Sequence, residues 1–193
     1  MVARDLLGCV LCADPSLPDR TSARIIEVEA YLGLSDPASH AFRGPTPRAA
    51  IMFGEPGHLY VYFSYGVHHC ANVVTEADGV PGAVLLRAAR VEEGEDVVRG
   101  RRGPLPVDRL LSGPGNLCRG LDIDLGDNGA DLCSAAPRLF IERGVRPDRV
   151  VSGPRVGISR APDLPLRFAI ESHPALSTPR IRARTEWRTS APG

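Results

Sequence analysis

The sequence contains no lysine; all 23 of its basic residues are arginine. A guanidinium stays protonated and is a poor nucleophile, so chemistry through a side-chain amine is excluded, and only the Met1 amine is left for it. Long apolar runs are missing too. Gly82 to Leu86 is typical of those present, against the roughly 20 residues that a membrane-spanning helix needs. No membrane partner is expected. Met1 to Leu11 lacks a basic segment followed by a long apolar stretch and a cleavage site, so a cytoplasmic location is expected. Cysteines are few, odd in number and scattered (Cys9, Cys12, Cys70, Cys118 and Cys133), which suits free thiols in a reducing compartment. His40, His58, His68, His69 and Cys70 match neither C-x-x-C nor H-E-x-x-H spacing, and neighbours on a strand such as His68 and His69 face opposite sides. Neither metal nor other cofactor is expected. Excess charge of one sign is also absent, the formal net charge being zero. That removes a global electrostatic argument for nucleic acid but not a local one, because the charges are segregated. Acids cluster at Glu92 to Asp96 and Asp122 to Asp131; Arg99, Arg101 and Arg102, and Arg180, Arg182, Arg184 and Arg188, form basic stretches that can meet phosphates or simply solvent.

What is present fits one folded domain. At 193 residues with 43% hydrophobic and 24% charged residues, the chain has the length and make-up of a single core. Residues 1–176 are expected to form it, with 177–193 a flexible tail. Residues 3–12 open as a short helix or strand. Arg24 to Tyr31 alternates as a strand, with Ile26, Val28 and Ala30 on one face and Glu27, Glu29 and Tyr31 on the other. Gly33 to Gly57 is rich in Pro, Gly and Ser and too long for a mere connection. Residues 58–65 and 67–74 form a hairpin pivoting at Tyr65-Gly66, with an aromatic ring at its tip. Ala83 to Ala88 is a strand on which Leu85 and Arg87 share a face. Val91 to Arg102 reads as helical. Ser112-Gly113-Pro114 starts a helix through Leu121 that could receive a phosphate. Arg138 to Glu142 and Leu166 to Glu171 are later strands, separated by the loop SGPRVGISRAP. The fold class is mixed α/β (α+β), one domain with a curved, largely antiparallel sheet, flanking helices and a protruding hairpin.

Glu27, Glu29 and Tyr31 place two carboxylates beside a ring, which is equipment for activating water if they line a cleft. Solvated strand carboxylates are the plainer alternative. Tyr60, Tyr62 and Tyr65 fall within six residues; strand aromatics usually pack, but a ring at a hairpin tip can also wedge into a base stack, and one deeper in the hairpin can stack on an extruded base.

The segments E-A-Y-L-G (Glu29 to Gly33), T-P-R (Thr46 to Arg48), P-G-x-L-Y-V-Y (Pro56 to Tyr62), Y-G (Tyr65 and Gly66) and S-G-P-x-x-L-C (Ser112 to Cys118) occur in this order. Together they resemble the alkyladenine, or 3-methyladenine, DNA glycosylase family over about residues 3–171. The resemblance implies a monomeric base excision repair enzyme acting on double-stranded DNA that contains a damaged purine, and the lysine-free, arginine-rich usage points to a GC-rich bacterial genome, so a nucleoid-associated setting in the bacterial cytoplasm is expected. It implies that Glu29 activates the attacking water and that Tyr31, His40 and Tyr62 sandwich the flipped base. Asn72 would oppose the guanine 2-amino group, Tyr65 would intercalate, and Arg87 with Leu85 would contact DNA and support the pocket. Breaking the bond from C1′ to a purine nitrogen builds positive charge on the sugar, which a carboxylate can stabilise while orienting water. The missing lysine removes the usual amine for strand cleavage, so base removal without lyase activity is expected. Two alternatives stay open: a damage-binding module without hydrolysis, and a hydrolase of nucleosides that needs no wedge.

Overall fold

The computed structural model describes residues 1–14, 18–134, 138–178 and 181. Most of the expected tail, including Arg180, Arg182, Arg184 and Arg188, lies outside them. A short helix α1 (Val2–Asp5) leads into β1 (Val10–Ala13), so the first segment is both helix and strand. There follow β2 (Thr21–Tyr31), β3 (Leu59–Ser64), β4 (His68–Val74) and β5 (Ala83–Glu93). Next come the helices α2 (Glu95–Arg102), α3 (Val107–Leu110) and α4 (Pro114–Gly120), then β6 (Leu139–Glu142), β7 (Val150–Gly153) and β8 (Arg167–Ile170). The eight strands form one curved sheet in the order β3-β4-β5-β2-β1-β6, with β8 on β2 and β7 on β8. Every pairing is antiparallel.

Strand β2 is the spine. One edge pairs with β5 along its length, while the other pairs first with β1 and then with β8. Its register with β5 shifts on both sides of Glu27, leaving Ile26 and Arg87 outside the paired positions. Such bulges interrupt strict alternation. Ala23, Ile25, Val28 and Ala30 therefore join the main core beneath α2 to α4, whereas Ile26 packs with Ala169 and Leu176. This corrects the expectation that Ile26 shares a face with Val28 and Ala30.

The helices cover one face of the sheet. Gly94, at φ 72°, ends β5 and leads into α2, so Val91 to Glu93 remain strand residues, Val91 and Glu93 paired to β2, and the helix starts later than expected. Glu95 and Asp96 in its first turn and arginines in its last complement the helix dipole. Arg99 bonds Glu95 and the Leu105 carbonyl, Arg101 the Gly120 carbonyl and Arg102 the Leu110 carbonyl. This basic stretch ties the helical layer together. On the opposite face, the 33–57 segment, with two 3-10 turns, packs Ala41, Ala49 and Met52 against Tyr60, Val74 and Ala83. Gly33 has φ 61°, and a Cβ there would collide with the Pro81 carbonyl, which explains a glycine at the end of E-A-Y-L-G. Among the described residues, no helix is long and apolar enough to cross a membrane.

Candidate active site

A cavity of about 500 Å³ opens on that second face, within the size range of small-molecule sites. It is built on a row of directly opposed strand residues: Tyr60 on β3 faces Asn72 on β4, Asn72 faces Leu85 on β5, Leu85 faces Glu29 on β2, and Glu29 faces Arg167 on β8. Opposed residues in a sheet project to the same side, so one row brings together residues from five strands. Tyr31, His40, Arg48, Tyr62 and Arg87 complete much of the lining.

Glu29 is completely buried at the floor. Its Oε1 accepts from the Val156 backbone N–H at 2.7 Å and lies 3.3 Å from Arg87 Nη1, while Oε2 accepts from the Tyr31 hydroxyl at 3.0 Å. A carboxylate oxygen has two lone pairs, so Oε2 can accept one more hydrogen bond. Burial, then the Glu29 charge, pushes the Tyr31 phenol far above its ordinary range, which keeps it a neutral donor. Glu27 is equally buried. It accepts from Arg87 Nε at 3.0 Å, Arg167 Nε at 2.7 Å, and the backbone N–H and hydroxyl of Ser177 at 2.7 and 2.8 Å. Burial works against the Arg87 charge, but Glu29 and Glu27 outweigh it and hold the guanidinium firmly protonated. The reading of two solvated carboxylates is thereby excluded.

Tyr31 is backed by Arg155, whose guanidinium carbon lies 4.6 Å from the ring centre. Arg155 donates to the Ala30 carbonyl at 3.0 Å and to Asp36 Oδ1 at 2.9 Å in a fully buried ion pair. Burial disfavours the Asp36 charge, yet Arg155 and the backbone N–H groups of Ala38 and Leu32 leave its carboxyl below the usual range. At the other wall, His40 meets Tyr62 edge-on, with ring centres 4.7 Å apart. Although His40 stands at the open rim, its Nδ1 turns inward to hydrogen-bond the Tyr60 hydroxyl at 2.9 Å. Burial of the ring, then the Arg48 charge, lowers the His40 pKa to about 4, so the imidazole is neutral at neutral pH. Asn72 anchors its amide by donating to the Tyr60 carbonyl at 3.0 Å.

Beside the cavity the β3–β4 hairpin ends in Tyr65 and Gly66, at φ 51° and 66°, closed by the Val67 N–H donating to the Ser64 carbonyl. Both values are positive, as in the two-residue turn that fits the twist of a hairpin. Tyr65 is 91% exposed.

The structure thus brings Tyr31, His40, Tyr62, Asn72, Leu85 and Arg87 to one cavity, with Tyr65 at its mouth and Glu29 buried directly behind the lining residues Tyr31, Arg87 and Val156. Sequence reasoning assigned no role to Tyr60, Arg48, Arg155, Val156 or Arg167. The T-P-R segment pointed at Arg48 without a function for it. Val156 acts through its backbone N–H, which any residue but proline supplies, so it carried no signal. Among the described residues, no group of three His, Cys, Asp or Glu is placed to hold a metal ion.

Comparison with known proteins identifies the family of the chain. The family model for methylpurine-DNA glycosylase matches residues 1–174. A Corynebacterium efficiens protein is 46% identical over 96% of this chain and 94% of its own length. A Cutibacterium acnes protein is 45% identical over 93% and 94%, and one from Methanocella arvoryzae is 44% identical over 91% and 89%. All three are named, provisionally, as 3-methyladenine DNA glycosylases. The fold and these matches define a DNA glycosylase, an enzyme of DNA repair. The chain belongs to the methylpurine-DNA glycosylase family.

Proposed function

We propose that this enzyme extrudes a damaged purine of the 3-methyladenine, hypoxanthine and ethenoadenine class from duplex DNA and hydrolyses its N-glycosidic bond with a water activated by Glu29. The observation that carries this reading is a buried carboxylate held by three donors directly beneath the lining of an aromatic cavity, next to an exposed ring on a two-residue turn. Oε2 of Glu29 accepts a proton from water while the same charge stabilises the cationic sugar of the transition state. Tyr31 covers one face of the extruded base, and His40 and Tyr62 cover the other. Asn72, its amide fixed by Tyr60, opposes the 2-amino group of guanine. Leu85 and Arg87 support the floor and the DNA-facing strand. Extrusion costs a few kcal/mol, which Tyr65 offsets by filling the gap in the stack. Without a lysine, the product is an abasic site on an uncut strand. The enzyme acts as a monomer.

Single-turnover base release from duplexes containing hypoxanthine or ethenoadenine, without added metal, tests this. Glu29→Gln is expected to bind such duplexes yet release base about 10² to 10⁴ times more slowly than the wild type, the usual weight of a general base. Binding by both proteins with release by neither would establish a damage-binding module instead, and release from free nucleosides would establish a hydrolase without need of Tyr65.

A further inference from the structure

Residues 175–178 pack against the sheet beside the site. The bulge in β2 turns Ile26 toward Leu176 and Ala169. Ser112, the serine of the S-G-P segment, donates its hydroxyl to the Leu176 carbonyl at 3.0 Å. The next residue, Gly113, donates its N–H to the Arg87 carbonyl at 3.0 Å. One loop thus holds both the 175–178 segment and the strand that carries Arg87. The packing and bonding of Leu176 deliver Ser177 to the buried pair of Glu27 and Arg87.

A guanidinium is planar and directs its donors in a fixed fork. Each Arg87 nitrogen has an acceptor of its own: Nε donates to Glu27 Oε1 at 3.0 Å, Nη2 donates to the Ser177 hydroxyl oxygen at 3.1 Å, and Nη1 lies 3.3 Å from Glu29 Oε1. The Ser177 hydroxyl in turn donates to Glu27 Oε1 at 2.8 Å, and the Ser177 backbone N–H to Oε2 at 2.7 Å. With two corners of the plane held, the third is aimed at Glu29. Without the hydroxyl, Nε alone holds the plane on that side, and a turn of the guanidinium carries Nη1 away from Glu29. Oε1 of Glu29 then keeps only the Val156 N–H. We propose that Ser177 is a positioning residue for base removal, its hydroxyl setting the rotation of the Arg87 guanidinium and, through it, the placement of the Glu29 carboxylate. This inference rests on the glycosylase reading above.

The test compares single-turnover release of hypoxanthine or ethenoadenine by the wild type, Ser177→Ala and Ser177→Thr, with duplex affinity and the urea midpoint measured alongside. Ser177 is half-buried and alanine keeps its backbone N–H, so Ser177→Ala is expected to fold. It should bind the duplex with wild-type affinity yet release base about tenfold more slowly, the scale of one hydrogen bond to a charged group. Ser177→Thr keeps the hydroxyl and is expected to restore most of the rate. A serine that only supported the fold would lower the urea midpoint but leave the rate of the folded enzyme, measured without urea, unchanged. A second readout needs no activity. The Nη–H NMR signals of Arg87, assigned by their loss in Arg87→Lys, should be resolved in the wild type and averaged by faster rotation in Ser177→Ala. Wild-type release by Ser177→Ala overturns the inference alone, as does equal slowing of Ser177→Ala and Ser177→Thr. So do Arg87 signals that Ser177→Ala leaves unchanged. A wild type that releases no base overturns the glycosylase reading and the inference with it.

Discussion

The cavity floor and the hairpin tip are built in opposite ways. At the floor, Glu27 and Glu29 are out of contact with solvent and held by donors from β2, β5, β8, the 154–166 segment and Ser177. At the tip, Tyr65 is almost fully exposed and is oriented by a two-residue turn with left-handed φ values. The floor exists only when distant parts of the chain have folded together, whereas the tip is specified by its own few residues. A substitution at the floor should therefore disturb folding and chemistry together. One at the tip should separate them.

The largest effect expected from this contrast is at Glu27, which touches the cavity only through Arg87. Glu27→Ala leaves Arg167 without its carboxylate and Arg87 with Glu29 alone. Breaking a buried ion pair from one side costs about 3 to 5 kcal/mol, so the urea midpoint should fall steeply and base release should fall with it. Glu27→Gln preserves shape but not the charge, and its single acceptor oxygen cannot serve both the arginines on Oε1 and the Ser177 N–H on Oε2, so it should lie between. A Glu27→Ala protein as stable as the wild type would mean that the floor is not integral to the fold, and the contrast would collapse.

At the tip the expected pattern is reversed. A non-glycine residue with φ near 51° bears a backbone cost of about 1 kcal/mol, which asparagine tolerates better than tyrosine. Tyr65→Asn should unfold at or slightly above the wild-type midpoint while releasing base about tenfold more slowly, if the proposed wedge recovers part of the few kcal/mol that extrusion costs. Loss of stability in step with activity would show that the ring supports the hairpin rather than serving DNA.

The same contrast explains what could be read in the sequence. The hairpin was legible because its alternation and its Tyr-Gly pivot are local signals, and Glu29 and Tyr31 were legible because a period of two puts them on one face. The exclusion of Ile26 from the main core was not, since a bulge depends on the partner strand and leaves no mark on the strand that carries it. Glu27 stood out as a candidate, but its partners Arg167 and Ser177 lie 140 and 150 residues away. Nothing between them in the sequence announces that closure. Strand β7 has no counterpart in the sequence reading, because Val150 and Val151 are too short a run to show alternation and Ser152 and Gly153 open the SGPRVGISRAP loop. Arg155 sat in the SGPRVGISRAP loop without a pattern to distinguish it from a solvated arginine, although it braces Tyr31 from behind.

The smallest expected effect concerns the cavity wall, which is intermediate between floor and tip. His40 is open at the rim yet bonded inward to Tyr60, and its pKa falls from 6.5 to about 4 on folding, chiefly through burial and then through Arg48. Above about pH 6.5 the ring is neutral in both folded and unfolded chains, so it makes no pH-dependent difference. As pH falls from 6.5 toward 4, the unfolded chain takes up a proton that the folded chain refuses, and stability declines. His173, also lowered by burial first, acts in the same direction. The urea midpoint of the wild type should therefore drop between pH 7 and pH 5, and that of His40→Gln should drop less without becoming flat. An equal drop in the two proteins would mean that the His40 imidazole titrates as if free, and that the wall behaves like the tip rather than the floor.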